Sequence, residues 1–421
     1  MPLSRLACTG LWLAVLVSSA TASDAIPLFE RGHLKGQWLS ASYPDDSLFR
    51  DAVGAVTHDQ GAELRLNFQV GSGAWSIKSD YQFLARFGDS LELNEAFGDL
   101  FLIPQALPGD DRRWWDLTHE ISDSDSKVLV QRLDRLHLDY AGEKTVLRFG
   151  RQAVSWGNGL IYNPMDFFNP FDPAAVDTEY KLGDDMFYGQ YLLDSGSDWQ
   201  LISVQRRDED GDVASEVRST ALKFHGFAVA REYDLLLAEH FDELVLAVGG
   251  STNMGDAVLR GDLMFTDTAD EWVTSLVGSW SYSWEWGGHN VSAVAEYFFN
   301  GFGLRESDYG PEKFAEADEL TERIRRGELF NVGRHYLAGS MTIEVTPLFN
   351  VVPNLFLNLG DGSALAQLVA QWDMSQNWQV LASVNVPVGP AGTEYGGLDS
   401  GVEGLQLSTG PALFAQFAFY F

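Results

Sequence analysis

The chain has 421 residues, with 60 acidic against 28 basic side chains, a formal charge of -32 and 13% aromatic residues. An acidic excess of this size excludes a nucleic-acid-binding protein, which needs a basic face. Beyond the first 22 residues the apolar runs break within a few positions, so nothing reaches the roughly 20 apolar residues of a membrane-spanning helix.

The chain begins "MPLSRLACTGLWLAVLVSSATASDA". Arg5, an apolar stretch from Leu11 to Val17 and the small residues Ala20-Thr21-Ala22 predict a cleaved secretory signal peptide over 1–22. Cys8, the only cysteine, precedes the apolar stretch, which argues against a lipid-anchored cysteine, and cleavage leaves a chain without disulfides. Residues 23–30 are expected to be a short periplasmic lead, too short for a domain that an inner-membrane partner could engage.

From residue 31 onward, polar and apolar residues alternate with the period of a strand. In "ELRLNFQV" (63–70), Leu64, Leu66, Phe68 and Val70 share one face, opposite Glu63, Arg65, Asn67 and Gln69. In 74–87, Trp75, Ile77, Tyr81, Phe83 and Phe87 stand opposite Lys78, Asp80, Gln82 and Arg86. Aromatic residues gather near strand ends, as in the girdles of membrane barrels, whereas a soluble sandwich spreads them along its strands. No fixed-period repeat is present, which counts against a propeller or a solenoid.

The expected fold class is therefore all-β: residues 31–421 form one transmembrane, antiparallel, up-and-down β-barrel. About 18 strands are predicted, at 31–40, 62–70, 74–87, 129–140, 144–154, 186–194, 198–206, 217–226, 231–241, 243–252, 257–266, 271–284, 289–299, 334–345, 348–359, 362–373, 377–388 and 410–421. Losing one hairpin within 217–252 would make the number 16. Long connections fall at 41–61, 88–128, 155–185, 300–333 and 389–409, each after an odd-numbered strand. That asymmetry predicts both termini in the periplasm, short periplasmic turns and long extracellular loops.

The candidate pore wall follows from strand parity. Lys35, Arg65, Lys78, Asp80, Arg86 and Arg148 should line the lumen, forming a basic sector that Asp80 and Glu63 partly neutralise. Loop 88–128 carries ten acids and three bases, and loop 300–333 eight acids and five bases. Opposite charges across a narrow gap select ions. The acidic loops could also hold a divalent cation shared with lipopolysaccharide; no other cofactor is expected. "DEDGD" (208–212) starts like a calcium loop, but its twelfth position is Ser219 instead of Glu, so it is read as a turn.

"LRFGRQAVSWGNGLIYNPMDFFNPFDP" (147–173) is the most distinctive segment. Asn163 and Asn169 each precede a proline, which favours an extended or turn backbone and stiffens the loop. Phe167, Phe168 and Phe171 are too apolar for a loop in water. Either they pack as a plug at one end of the barrel, or the loop near 155–185 folds into the lumen and narrows it, and the two are compatible. Trp156, Asn163, Asp166, Phe167, Phe168, Asn169, Phe171, Asp172 and Asp177 are the candidate constriction residues, with the loop acids Asp166, Asp172 and Asp177 expected opposite Arg148, Lys78 and Arg86. Gly150, Arg151, Gln152, Trp156 and Gly157 resemble the Gly-Arg-Gln…Trp-Gly segment of porin-like bacterial barrels, including the alginate-export family. The resemblance covers under a tenth of the chain. It implies a pore-type barrel without naming a solute.

Residues 311–326 are expected to form a short amphipathic helix at the barrel mouth. Pro311 stands early, acids come first, Arg325 and Arg326 last, and Gly327 stops it. Phe314, Ala317, Leu320 and Ile324 fall on one face.

The chain ends "FAQFAFYF", where Phe417, Phe419 and Phe421 form an outward apolar stripe. This end resembles that of bacterial outer-membrane proteins, which implies recognition by the barrel-insertion machinery.

Residues and resemblances together predict a porin-like channel in the outer membrane, exported by its signal peptide and passing a polar solute. Its surroundings would be outer-membrane lipid and lipopolysaccharide. Ion selectivity, the solute and the oligomeric state stay open. An export or assembly barrel for a surface polymer or lipid, working with a periplasmic partner, is the alternative. A barrel hydrolase ranks below both, because His33, His137, His225 and His335 have no Ser in a G-x-S-x-G setting and no H-E-x-x-H pair, phosphate loop or metal-spaced cysteine set occurs.

Overall fold

The computed structural model describes residues 28–97, 107–124, 126–305, 307 and 309–421. The expected signal peptide, and most of the short lead after it, lie outside the described residues. The strands in chain order are β1 (Phe29–Ser42), β2 (Val56–Ser72), β3 (Trp75–Gly88), β4 (Thr118–Ser124), β5 (Lys127–Ala141), β6 (Thr145–Gln152), β7 (Asp184–Leu192), β8 (Asp198–Val204), β9 (Ser219–Ala228), β10 (Arg231–His240), β11 (Glu243–Met254), β12 (Ala257–Asp267), β13 (Trp272–Trp286), β14 (His289–Phe299), β15 (His335–Thr346), β16 (Phe349–Asn358), β17 (Ala364–Asp373), β18 (Trp378–Val388), β19 (Leu398–Asp399), β20 (Gln406–Leu407) and β21 (Ala412–Tyr420).

Eighteen of these strands form a closed antiparallel circuit. It closes where β21 pairs with β1, from His33↔Tyr420 to Ala41↔Ala412. Closure leaves no open edge, as lipid requires, because an unpaired backbone group has no water to bond there. β4 lies outside the circuit and extends the outer end of β5, while β19 and β20 form a small separate ribbon in a loop. All 18 predicted strands are present, including both hairpins within 217–252. The largest boundary difference is β2, which begins at Val56 instead of 62 because 56–61 continues the pairing with β1.

The outward parity carries the apolar belt. On β10, Leu235 and Leu237 are exposed while Asp234, Leu236, Ala238 and His240 face in and are buried. Trp75, Tyr191, Trp199, Trp286, Trp372 and Trp378 are exposed beside the short turns, forming an aromatic girdle at that end. Phe417 and Phe421 are exposed on the same surface, and Phe419 stacks on Phe421 and contacts Trp378. Gln416 and Ala418, on the other parity, are buried.

The long loops stand at the opposite end and contain the helices α1 (Leu48–Val53), α2 (Leu91–Phe97), α3 (Pro311–Ala315) and α4 (Asp318–Arg325). The single helix expected over 311–326 is two. The backbone leaves helical geometry at Ala317 (φ -112°, ψ 54°), and the chain turns between them. The apolar face is nevertheless the expected one: Phe314 and Leu320 are buried with Tyr309, Val332 and Leu398, and Ala317 and Ile324 pack against them.

The inner wall is not uniformly polar. From β7 to β12 it presents Met186, Tyr188, Ile202, Val204, Ala221, Leu236, Ala238, Val245, Ala247 and Met264, all buried in one cluster with residues of the 155–185 loop. This half of the barrel has apolar residues on both faces.

Candidate functional site

Residues 153–183 leave the top of β6 and lie inside the barrel. Their route can be followed by the wall groups that hold them. The Trp156 indole donates to Gln200 of β8 (2.8 Å). Asn158 donates its backbone N–H and its amide to the carboxylate of Asp262 on β12 (2.7 Å each), and its amide also reaches Asp234 on β10. Glu296 of β14, 1% exposed, accepts the backbone N–H groups of Leu160 (2.8 Å), Ile161 (3.0 Å) and Tyr162 (2.5 Å). Tyr162 stacks on Phe298 at 4.9 Å. The chain then doubles back, burying Met165, Phe167 and Phe168 against the apolar wall. Charge-assisted bonds and a dry core together pin this first limb.

The return limb crosses the other side. Gln367 of β17 donates to Ala174 O. Lys35 of β1 is held between Asp177 (2.7 Å) and Glu179 (2.8 Å), and the Tyr420 hydroxyl donates to Glu179. The Arg65 guanidinium stands 4.0 Å above the Tyr180 ring. Lys181 donates to Val154 O and pairs with Asp166, which closes the loop on itself. Burial raises the Asp166 carboxyl to about 6 against the pull of Lys181, and burial lowers the Lys181 ammonium. Between this limb and the wall of β1–β3 lies a polar cavity of about 440 Å³ whose lining includes Lys35, Glu63, Arg65, Gln82, Arg86 and Asp134.

The charge partition differs from the one expected. Arg148 pairs with Asp139 on its own wall (3.4 Å) and lies over Tyr188, not across from the loop acids. Arg65 bonds Asp134 (2.9 Å) and lies 3.4 Å from Asp80. Asp166 is paired within the loop, Asp172 takes the Ala174 N–H, and Asp177 meets Lys35. The more buried acids, Asp166 and Asp177, take the nearest cation, because an unpaired buried charge is costly, while Asp172 keeps contact with water. Arg86 lines the cavity and Lys78 is on the inward parity of β3.

The Gly-Arg-Gln…Trp-Gly residues launch and fasten the loop. Gly150 has φ 127°, and an added Cβ would lie 2.2 Å from Leu136 O. Arg151 is fully buried. It binds Asp185 through two nitrogens (2.8 and 2.9 Å), Asp110 (2.7 Å) and Trp115 O. Gln152 donates to Met186 O. At Gly157 (φ 94°) a Cβ would strike the Asn163 side chain, whose amide donates to Trp156 O. Asn169 takes a left-handed conformation (φ 54°) before Pro170, a turn geometry that Asn tolerates. Phe171 is 37% exposed, unlike Phe167 and Phe168.

Sequence reasoning missed Asp262, Glu296, Lys181 and His240. The signal for the first two was available, since each is a lone acid at an inward position of an apolar strand. His240 donates from Nε2 to the Glu328 carboxylate (2.9 Å), and its Nδ1 shares a hydrogen bond with the Ser219 hydroxyl (2.7 Å). Ser219 is fully buried, and Arg206 donates to its Oγ (2.7 Å). Burial raises the Glu328 carboxyl, but its contact with His240 and the Arg326 and Arg323 guanidiniums outweigh burial and hold it down to about 2. "DEDGD" is a turn in which Asp208 Oδ1 accepts the N–H groups of Asp210 and Asp212.

No family model matches the sequence, and no curated protein is similar to it in sequence. Solved structures are similar in fold. OccAB4 of Acinetobacter baumannii superposes with a TM-score of 0.52 at 10% identity, over 93% of this chain and 97% of that one. A BenF-like porin from Pseudomonas fluorescens gives 0.51 at 10%, over 93% and 97%. Wzi of Escherichia coli, an outer-membrane protein involved in group 1 capsule assembly and described as a carbohydrate-binding β-barrel, gives 0.51 at 10%, over 92% and 84%. The fold is that of outer-membrane β-barrels, and the apolar belt with its aromatic girdle sets this chain in that membrane as a multi-pass barrel.

Proposed function

We propose that the protein is an outer-membrane channel for a polar solute, narrowed from within by residues 155–185. The observation that carries this reading is the division of the lumen. One half is filled by the loop's dry packing on β7–β12, and the other keeps a polar cavity of about 440 Å³ against β1–β3. Lys35, Arg65 and Arg86 would meet carboxylate or hydroxyl groups of a solute there, with Arg able to pair bidentately. The name of the BenF-like porin fits a channel. The description of Wzi fits the other reading, a barrel serving surface-polymer assembly, which predicts a folded protein that never conducts.

A catalytic role finds no support in the Ser219–His240–Glu328 line. Its hydroxyl is fully buried under Arg206, so no substrate carbonyl could approach. By the same proposal, the barrel-insertion machinery reads the Phe421 end, and the acidic outer loops meet lipopolysaccharide through shared divalent cations.

Deleting 163–173 and recording single channels in planar bilayers tests the proposal. Removal of the packed limb is expected to raise conductance at least about twofold, since a wider lumen carries more ions. Unchanged conductance would remove the constriction, and silence in both proteins would favour the assembly reading.

A further inference from the structure

A second cavity, of about 60 Å³, lies on the outer side of the loop, between the proline-rich stretch 162–173, residues 328–331 and the outer ends of β10–β14. It holds roughly four to six water molecules, the scale of one six-membered ring. Tyr162 and Phe298, stacked on each other with their planes 15° apart, are part of its lining. Phe171 and Phe330 also line it, and both leave more than a third of their surface open to water. Rings exposed in this way beside a cavity recover hydrophobic free energy when an apolar face covers them.

The charged groups around the cavity are already bonded to one another. His240 pairs with Glu328, Arg326 lies 3.2 Å from the same carboxylate, and Arg323 pairs with both Glu243 and Glu319 while covering the Phe302 ring. An anionic ligand would bury its charge without a free cation, and a cationic one would compete with Arg323 and Arg326 for carboxylates they already hold, both unfavourable. A neutral ligand meets a different surface. The carboxylates of Glu243 and Glu328 keep further acceptor lone pairs, and Thr266 and Ser275 supply hydroxyls.

We propose that this cavity binds one neutral polyhydroxylated ring, a single sugar residue, with its C–H face on the aromatic side chains and its hydroxyls on the fixed carboxylates. The proposal deepens the channel reading by naming the class of solute captured at the outer mouth, and rests on that reading only for passage beyond it.

Saturation-transfer NMR on the folded full-length chain, in a detergent without a sugar headgroup, tests it. The probes are methyl α-D-glucopyranoside, glucuronate and glucosamine, alike in shape and differing in charge. The neutral glycoside is expected to give at least about a threefold stronger transfer than either charged probe, and Phe330→Ala and Phe171→Ala to reduce it by half or more with the β-sheet circular dichroism retained. No transfer from the glycoside, equal transfer from all three, or indifference to both substitutions overturns the site. Conductance recorded on the same preparations separates the two readings. A conducting protein without the sugar signal loses the site and keeps the channel, and a silent protein with the signal loses the channel and keeps the site.

Discussion

Glu296 is the strongest single tether of the internal loop, and replacing it with alanine has a calculable consequence. Its carboxylate, almost fully buried, accepts three consecutive backbone N–H groups at 2.5–3.0 Å. Hydrogen bonds to a charged group contribute about 1.5–3 kcal/mol each, and an orphaned buried donor costs about 1–3 kcal/mol. Three such losses in a dry site would sum to more than 4 kcal/mol. Water filling the vacated carboxylate volume would pair some of the amides, so the local opening free energy should fall by about 2–4 kcal/mol. At roughly 1.4 kcal/mol per decade, amide hydrogens of residues 160–162 should exchange about 30- to 700-fold faster in Glu296→Ala. Glu296→Gln should be intermediate. Its carbonyl can keep the bonds from Ile161 and Tyr162, while its amide sets a donor against the Leu160 N–H. Hydrogen–deuterium exchange with mass spectrometry on peptides spanning 156–168 reads the effect. Unchanged protection of these amides in Glu296→Ala would refute the tether and leave the Trp156 and Asn158 hydrogen bonds and the apolar packing as the anchors of this limb.

Two further substitutions probe the return limb and the last long loop. Lys35→Met removes the cation shared by Asp177 and Glu179; since both acids keep some contact with water, the loss should be about 1–3 kcal/mol, and limited proteolysis should cut 174–182 faster while leaving 156–168 resistant. Equal cutting before and after would show that the return limb is held by other contacts. Glu394, in the last long loop, is raised to about 7 by burial, against hydrogen bonds from the Tyr336 hydroxyl (2.6 Å) and Asn358 (2.8 Å). A carboxyl raised in the folded state keeps a proton that the unfolded chain has released above about pH 4.3, so its favourable contribution is fully present below that pH and is lost as pH rises through 7. Denaturant stability should fall by about 2 kcal/mol between pH 5 and 8, allowing for partial exposure, and Glu394→Gln should flatten that slope; an unaltered slope in the variant would assign it to another group.

The barrel itself was legible in the sequence. Period-2 alternation is a local property, and it located all 18 strands because the outer face of every strand meets the same solvent, lipid. Loop lengths are local too, and they assigned the two ends. The outward stripe of Phe417, Phe419 and Phe421 followed from parity alone. Alternation was faintest in "DLLLAEH" and "ELVLAVGG", the region where one hairpin stood in doubt. The structure supplies the reason: Leu236, Ala238, Val245 and Ala247 face inward onto Phe167, Phe168 and Met165, so these strands are apolar on both faces. What lies across the lumen was not legible. Asp177 meets Lys35 over 142 positions of sequence and Leu160 meets Glu296 over 136, and no local period encodes such a pairing. Which acid neutralises which base, and which half of the lumen stays wet, depends on where the loop of residues 153–183 comes to rest inside a closed wall; that position is decided only by the joint fit of its apolar residues to β7–β12 and of its backbone donors to two lone carboxylates.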